Sequence, residues 1–209
     1  MTMPNDLLLR FKRWPTFTID DAFLFLNKKH RVSRTAVQVT LSRMVKSKRL
    51  FHVTKGVFSL SGNAAVAGFA YTPFYYGCLS ALMIMELIDD QVKMEVMTTR
   101  NVRRTNTTVF GDVHIILHHL PRKYYFGFRT IDYGGIAVPV SVREKTLIDM
   151  FYYNVRVSAS DYSDLLKSID LQRLHEYLDA YPKKVRNKVL SFVKEYRPMA
   201  IRGELENPY

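Results

Sequence analysis

With 209 residues, 47% hydrophobic and 24% charged, the chain has room for one or two domains and the composition of a folded protein rather than a disordered or fibrous one. No run reaches the ~20 apolar residues that a membrane-spanning helix needs. The start, Pro4-Asn5-Asp6 before a short apolar stretch, lacks the basic-then-apolar order of a signal peptide. The lone cysteine, Cys78, cannot form an internal disulfide and reads as a buried structural thiol, so the expected compartment is the cytoplasm, with no membrane partner. The net charge of +12 is concentrated at one end. Residues 1–60 hold twelve Lys and Arg against three acids, a net +9, leaving +3 for everything after them. Such asymmetry is the footprint of a polyanion-binding surface.

In chain order, Leu7, Leu8 and Phe11 share one helical face, and this first helix stops at Trp14-Pro15, where the residue before proline is pushed out of the helical region. Thr18-Ile-Asp-Asp21 has the form of a capping box, opening a second helix to about Leu26 with Ala22, Phe23 and Leu26 inward. Ser33 is a good N-cap for a third helix ending near Lys46 or Lys48. Val37, Leu41, Met44 and Val45 make its apolar stripe, while Thr35, Gln38, Ser42 and Lys46 lie on an adjacent arc flanked by Arg34 and Arg43. Short hydrogen-bonding groups that can approach base edges, with cations at the margins for phosphates, are the make-up of a recognition helix. Leu50 to Val53 and Val57 to Leu60 then alternate about the turn Thr54-Lys55-Gly56 as a β-hairpin, with Lys55 at its tip. This order predicts a winged helix-turn-helix that binds double-stranded DNA through Arg34, Thr35, Gln38, Ser42, Arg43, Lys46 and Lys55.

Small residues from Ser61 to Gly68 mark a boundary, giving domains 1–62 and 63–209. Tyr75 to Ile88 has helical length and is apolar nearly all round, which predicts a buried helix. Strand-like segments follow at Val92–Thr99, Thr107–Phe110, Val113–Leu120, Tyr124–Ile131 and Ile136–Val140, at hairpin-type spacing that predicts a largely antiparallel sheet. Ser141-Val-Arg-Glu144 reads as a capping box for a helix to Tyr153, Ser158 to Asp161 opens another, and the rest is helical with a break at Pro182 and a frayed end from Arg202. The fold class is therefore α+β: a winged helix-turn-helix followed by a mixed domain with carboxy-terminal helices.

Catalytic chemistry finds little footing in these residues. His114 and His118 on one strand stand about 13 Å apart, too far to share a metal, and read as a solvated strand face. A nuclease would need converging carboxylates and a lysine. Of the candidates Asp112, Asp132, Glu144, Lys145 and Asp149, Glu144 is accounted for by the capping box and Asp149 by a helix-surface salt bridge. No phosphate-binding glycine motif is present. The expectation is a protein without catalytic residues, metal or cofactor; a nucleic-acid-processing enzyme that uses the winged helix to position its substrate is the alternative. The aromatic residues from Tyr71 to Tyr76, Tyr124 to Phe128 and at Tyr152 and Tyr153 suit core packing and a protein interface, and Arg100, Arg103 and Arg104 form a small basic loop that either adds phosphate contacts or is a solvated turn.

The chain resembles, over most of its length, the AbiEi-type antitoxins and transcriptional regulators of type IV toxin–antitoxin systems. The resemblance is carried by Arg49-Leu50 through Gly56-Val57-Phe58, by Tyr75-Tyr-Gly-Cys-Leu-Ser-Ala-Leu82, by Phe110-Gly111, and by Val142-Arg-Glu-Lys-Thr-Leu-Ile-Asp149, where Thr146 replaces the usual alanine. It implies a repressor that recognises inverted or direct repeats near its own promoter through the amino-terminal module. It also implies a carboxy-terminal domain that counteracts a nucleotidyltransferase toxin, without requiring a stable complex.

Overall fold

The computed structural model describes residues 2–89, 93–102, 106–155 and 159–205. Three helices and a three-stranded sheet occupy the first sixty: α1 (Met3–Phe11), β1 (Phe17–Thr18), α2 (Ile19–His30), α3 (Arg34–Lys46), β2 (Phe51–Thr54) and β3 (Val57–Ser59). The capping box at Thr18 is formed, with Thr18 Oγ1 accepting from Asp21 N at 3.1 Å and the Asp21 carboxylate accepting from Thr18 N at 2.8 Å. Ser33 caps α3 by accepting from Ala36 N at 3.2 Å. The second helix runs a turn past Leu26 to His30, where Arg31 adopts a left-handed conformation. The antiparallel sheet has the order β1-β3-β2, and Gly56, at φ +74°, makes the tight turn. Strand β1 is too short for its sequence to show any period.

Leu7, Phe11, Phe17, Ala22, Leu26, Val37, Leu41, Met44, Leu50 and Phe58 form a buried cluster of their own, with Phe11 and Phe17 stacked at 4.1 Å. In α3 the fourth buried position is Thr40 and not Val45, which is only half-buried; the Thr40 hydroxyl is satisfied by the Ala36 carbonyl at 2.9 Å. Asp6 joins α1 to α2, bonded to Lys29 Nζ at 2.5 Å and His30 Nε2 at 2.7 Å.

The remainder holds a six-stranded sheet built from β4 (Phe74–Tyr76), β5 (Lys93–Thr98), β6 (Asn106–Phe110), β7 (Val113–His119), β8 (Phe128–Tyr133) and β9 (Ile136–Ser141), in the order β6-β7-β5-β4-β9-β8. Its helices are α4 (Cys78–Ile84), α5 (Arg143–Tyr153), α6 (Ala159–Lys167), α7 (Leu171–Leu178) and α8 (Lys183–Arg202). The sheet is mixed: β4·β9 and β5·β7 are parallel, and β4·β5, β6·β7 and β8·β9 antiparallel. Hairpin-like spacing does not reveal the two parallel pairings, because strand direction across a sheet is set by connections longer than a turn.

Two local expectations are corrected. Tyr75 to Ile88 is not one helix: a central strand buried on both faces reads as a continuous apolar run, and β4 merges in sequence with α4 across the extended Gly77. Nor does Ser141 cap α5. The N-cap is Val142, Ser141 Oγ lies 2.7 Å from Thr146 Oγ1, and Glu144 instead accepts from Asp170 N at 2.8 Å, joining α5 to the start of α7. The proposed start at Ser158 lies outside the described residues. The amino-terminal unit meets the larger part along β2, where Val53 enters the core on one sheet face and Phe51 faces Phe110, ring centroids 6.3 Å apart.

Candidate nucleic-acid interface

The capped start of α3 and its buried row Val37, Thr40, Leu41 and Met44 fix the rotation of the helix, so Thr35, Gln38, Ser42 and Lys46 all emerge exposed on one arc, with Arg43 exposed on its margin. Val39 shares this arc and is 44% exposed. The polar-arc reading passed over it, although an unburied β-branched residue among polar neighbours was itself the signal. Arg34, also exposed, is engaged by Asp20 at the start of α2. The Gly56 carbonyl accepts from Ile19 N at 2.9 Å. Through Ile19 and Asp20 the hairpin turn bearing exposed Lys55 is thus tied to the first turn of α3. Apart from Arg34, none of the seven predicted residues forms an ion pair among the described residues.

The carboxylates considered for catalysis do not converge. Asp132 accepts from Gly135 N at 3.0 Å in the β8–β9 turn, Asp112 is exposed in the β6–β7 turn, and Glu144 is taken up by α7. The Lys145–Asp149 pair is not on a helix surface: both side chains are wholly buried. Lys145 Nζ donates to Asp149 and, at 2.6 Å, to Tyr75 Oη, while Tyr75 Oη donates to Asp149 Oδ2 at 2.8 Å. The rings of Tyr75, Phe126 and Tyr181 surround the ammonium at 5.1 to 5.7 Å. At Gly127, φ +71°, a side chain would run into Lys145 and Tyr177. Burial raises the Asp149 carboxyl and lowers the Lys145 ammonium, each opposed by the attraction of the other.

His118 is likewise not on a solvated face. It sits between the Tyr153 ring, centroids 4.5 Å apart, and Glu95, whose Oε2 is 3.8 Å from His118 Nε2. Burial lowers its pKa from 6.5 to about 4, and burial raises that of Glu95, which the Cys78 thiol and a Leu79 backbone bond help to stabilise. No group of three or more His, Cys, Asp or Glu side chains able to hold a metal ion occurs among the described residues. No described helix is long and apolar enough to cross a membrane.

Neither a protein-family model nor a curated protein matches the sequence. The fold is similar to a solved one. The crystal structure of the RV2827C protein from Mycobacterium tuberculosis superposes with a TM-score of 0.61 at 11% identity, covering 100% of this chain and 83% of that one. At that identity the likeness concerns architecture alone, and it extends over the amino-terminal unit and the mixed sheet together.

Proposed function

We propose that residues 1–62 are a winged helix-turn-helix that binds double-stranded DNA, and that the chain is a transcriptional repressor acting as the antitoxin of a type IV toxin–antitoxin system. The observation that carries the DNA reading is the solvent-facing arc of α3, where Thr35, Gln38, Ser42 and Lys46 are exposed together while the opposite row is buried. In this reading α3 lies in the major groove. Gln38 and Ser42 meet base edges, Val39 is placed for a thymine methyl, and Arg43, Lys46 and Lys55 hold phosphates. Arg34 has a double duty, since it also ties α3 to Asp20. The antitoxin role, with residues 63–209 counteracting a nucleotidyltransferase toxin, is supported by the resemblance to AbiEi-type regulators.

Footprinting on the DNA upstream of its own gene tests the first part, with protection expected over inverted or direct repeats. Replacing Gln38 and Ser42 together by alanine should cost about 1–3 kcal/mol of discrimination per contacted base while leaving non-specific binding in place. Lys46→Ala and Lys55→Ala should each weaken all duplexes and lower the salt slope by about one. Binding curves that all four substitutions leave unchanged across a salt titration would remove α3 from the groove. Co-expression with the product of the adjacent gene tests the second part, and undiminished toxicity refutes it.

A further inference from the structure

At the end of the six-stranded sheet where Thr98 of β5 pairs with His119 of β7, a pocket of about 570 Å³ opens between Pro73, Thr99, Arg100, Asn101, Arg122 and Tyr125. It lies six residues along β7 from Val113, the partner of Phe110, and so about 20 Å from the contact with the amino-terminal unit. Arg100 is exposed, yet it is held at three points. Its backbone N–H donates to Thr98 Oγ1 at 3.1 Å, its carbonyl accepts from His119 Nδ1 at 2.9 Å, and its Nη1 donates to the Ala70 carbonyl at 2.7 Å. Thr98 Oγ1 is in turn anchored 2.7 and 2.9 Å from the carbonyls of Tyr71 and Pro73.

Holding a long charged side chain in one geometry costs rotamer freedom, and at Arg100 a backbone carbonyl rather than a carboxylate offsets it. Here neither Arg100 nor Arg122 has a carboxylate partner among the described residues, and no acid lines the pocket. Arg122 reaches the pocket from the short 3-10 helix Arg122–Tyr124, more than twenty residues away in sequence. Two guanidinium groups lining one pocket, one of them already fixed, stand beside a tyrosine whose hydroxyl is tied to the Phe74 carbonyl at 3.1 Å, so the pocket offers cationic donors next to an apolar wall. A dianionic phosphate matches two guanidiniums, and the Pro73–Tyr125 wall suits the sugar or base attached to it. We propose that this pocket binds a nucleotide unit, its phosphate between Arg100 and Arg122 and its ring system against Pro73 and Tyr125. The site is separate from the α3 surface and does not depend on the DNA reading of that surface.

The same nucleotide chemistry is offered by a free mononucleotide or by a strand of nucleic acid, and calorimetry on the full chain separates them. The probes are AMP, adenosine and a ten-residue single-stranded oligonucleotide, each with wild type, R122A, R100A and K46A. AMP is expected to bind and adenosine not, with R122A and R100A each weakening AMP about tenfold or more and K46A leaving it unchanged. R122A, which removes no side-chain bond among the described residues, keeps the test meaningful if R100A loosens the loop. An oligonucleotide that binds more than tenfold tighter than AMP, and loses that margin in R122A, identifies the strand as the source; equal or weaker binding identifies the free nucleotide. AMP binding undetectable to ~10 mM together with no R122A-sensitive oligonucleotide binding, binding indifferent to both arginine substitutions, or displacement of AMP by citrate as readily as by pyrophosphate would overturn the assignment.

Discussion

Each half of the molecule holds one lysine–aspartate pair whose carboxylate is buried, and the two are built in opposite ways. In the amino-terminal unit Asp6 is buried but its partner Lys29 is 46% exposed, so a single carboxylate fastens α1 to α2 while the positive charge stays in water. In the larger part Lys145 and Asp149 are both enclosed, and tyrosine hydroxyls complete their hydrogen bonds. The amino-terminal unit keeps its cations outside, where they are available to an anionic partner. The larger part buries a cation and so commits β4, α5 and the Tyr181 segment to one mutual arrangement.

The comparison is most easily broken at Asp149. Removing one member of an enclosed pair strands the other, so Asp149→Ala should cost about 3–5 kcal/mol in a urea titration, whereas the double substitution Lys145→Met with Asp149→Leu should recover most of the loss. A D149A variant no less stable than K29A would mean that enclosure makes no difference.

Acid separates the two halves next. His118 is kept neutral by burial, so the stability tied to it is complete above pH 6.5 and is lost as pH falls toward 4, in total about 2–3 kcal/mol. Glu95 beside it acts in the opposite sense: its carboxyl is raised by burial, so its share is present below 4.5 and is lost as pH rises through the folded value. The difference between H118F and wild type therefore isolates the imidazole. H118F should gain on wild type steadily as pH drops from 7 to 4, and a difference that stays flat refutes the buried neutral histidine. Asp6 has its pKa lowered, chiefly by the Lys29 bond, so its contribution persists through that window and is lost only as pH falls below 3.8.

The smallest effect belongs to Lys29→Ala. With an ammonium nearly half in water and His30 still bonded to Asp6, the loss should be within about 1 kcal/mol and shrink further in high salt. A loss comparable to that of D149A would put the two pairs on the same footing.

How far the sequence carried the structure differs along the chain for a physical reason. Most signals spanning three or four residues were legible: the Thr18 capping box, the Ser33 cap, the stop at Trp14-Pro15 and the turn at Gly56 are local hydrogen bonds and backbone preferences, whereas the Ser141–Glu144 box lost its glutamate to Asp170 N, a partner distant in sequence. The exposed arc of α3 was legible too, because one buried row on a helix dictates what the opposite row does. Local pattern misleads where burial is complete. A strand covered on both faces and a buried helix are both simply apolar, so β4 vanished into its neighbour, and Lys145 and Asp149 at i, i+4 look the same on paper whether they face water or three aromatic rings. Sequence by itself determined the basic amino-terminal charge, the α+β class and the capped starts of α2 and α3. Only the tertiary structure decided strand direction, the enclosure of Lys145 and His118, and the placing of Arg100 and Arg122 on one pocket, since each depends on which distant segments are brought together and how much water they exclude.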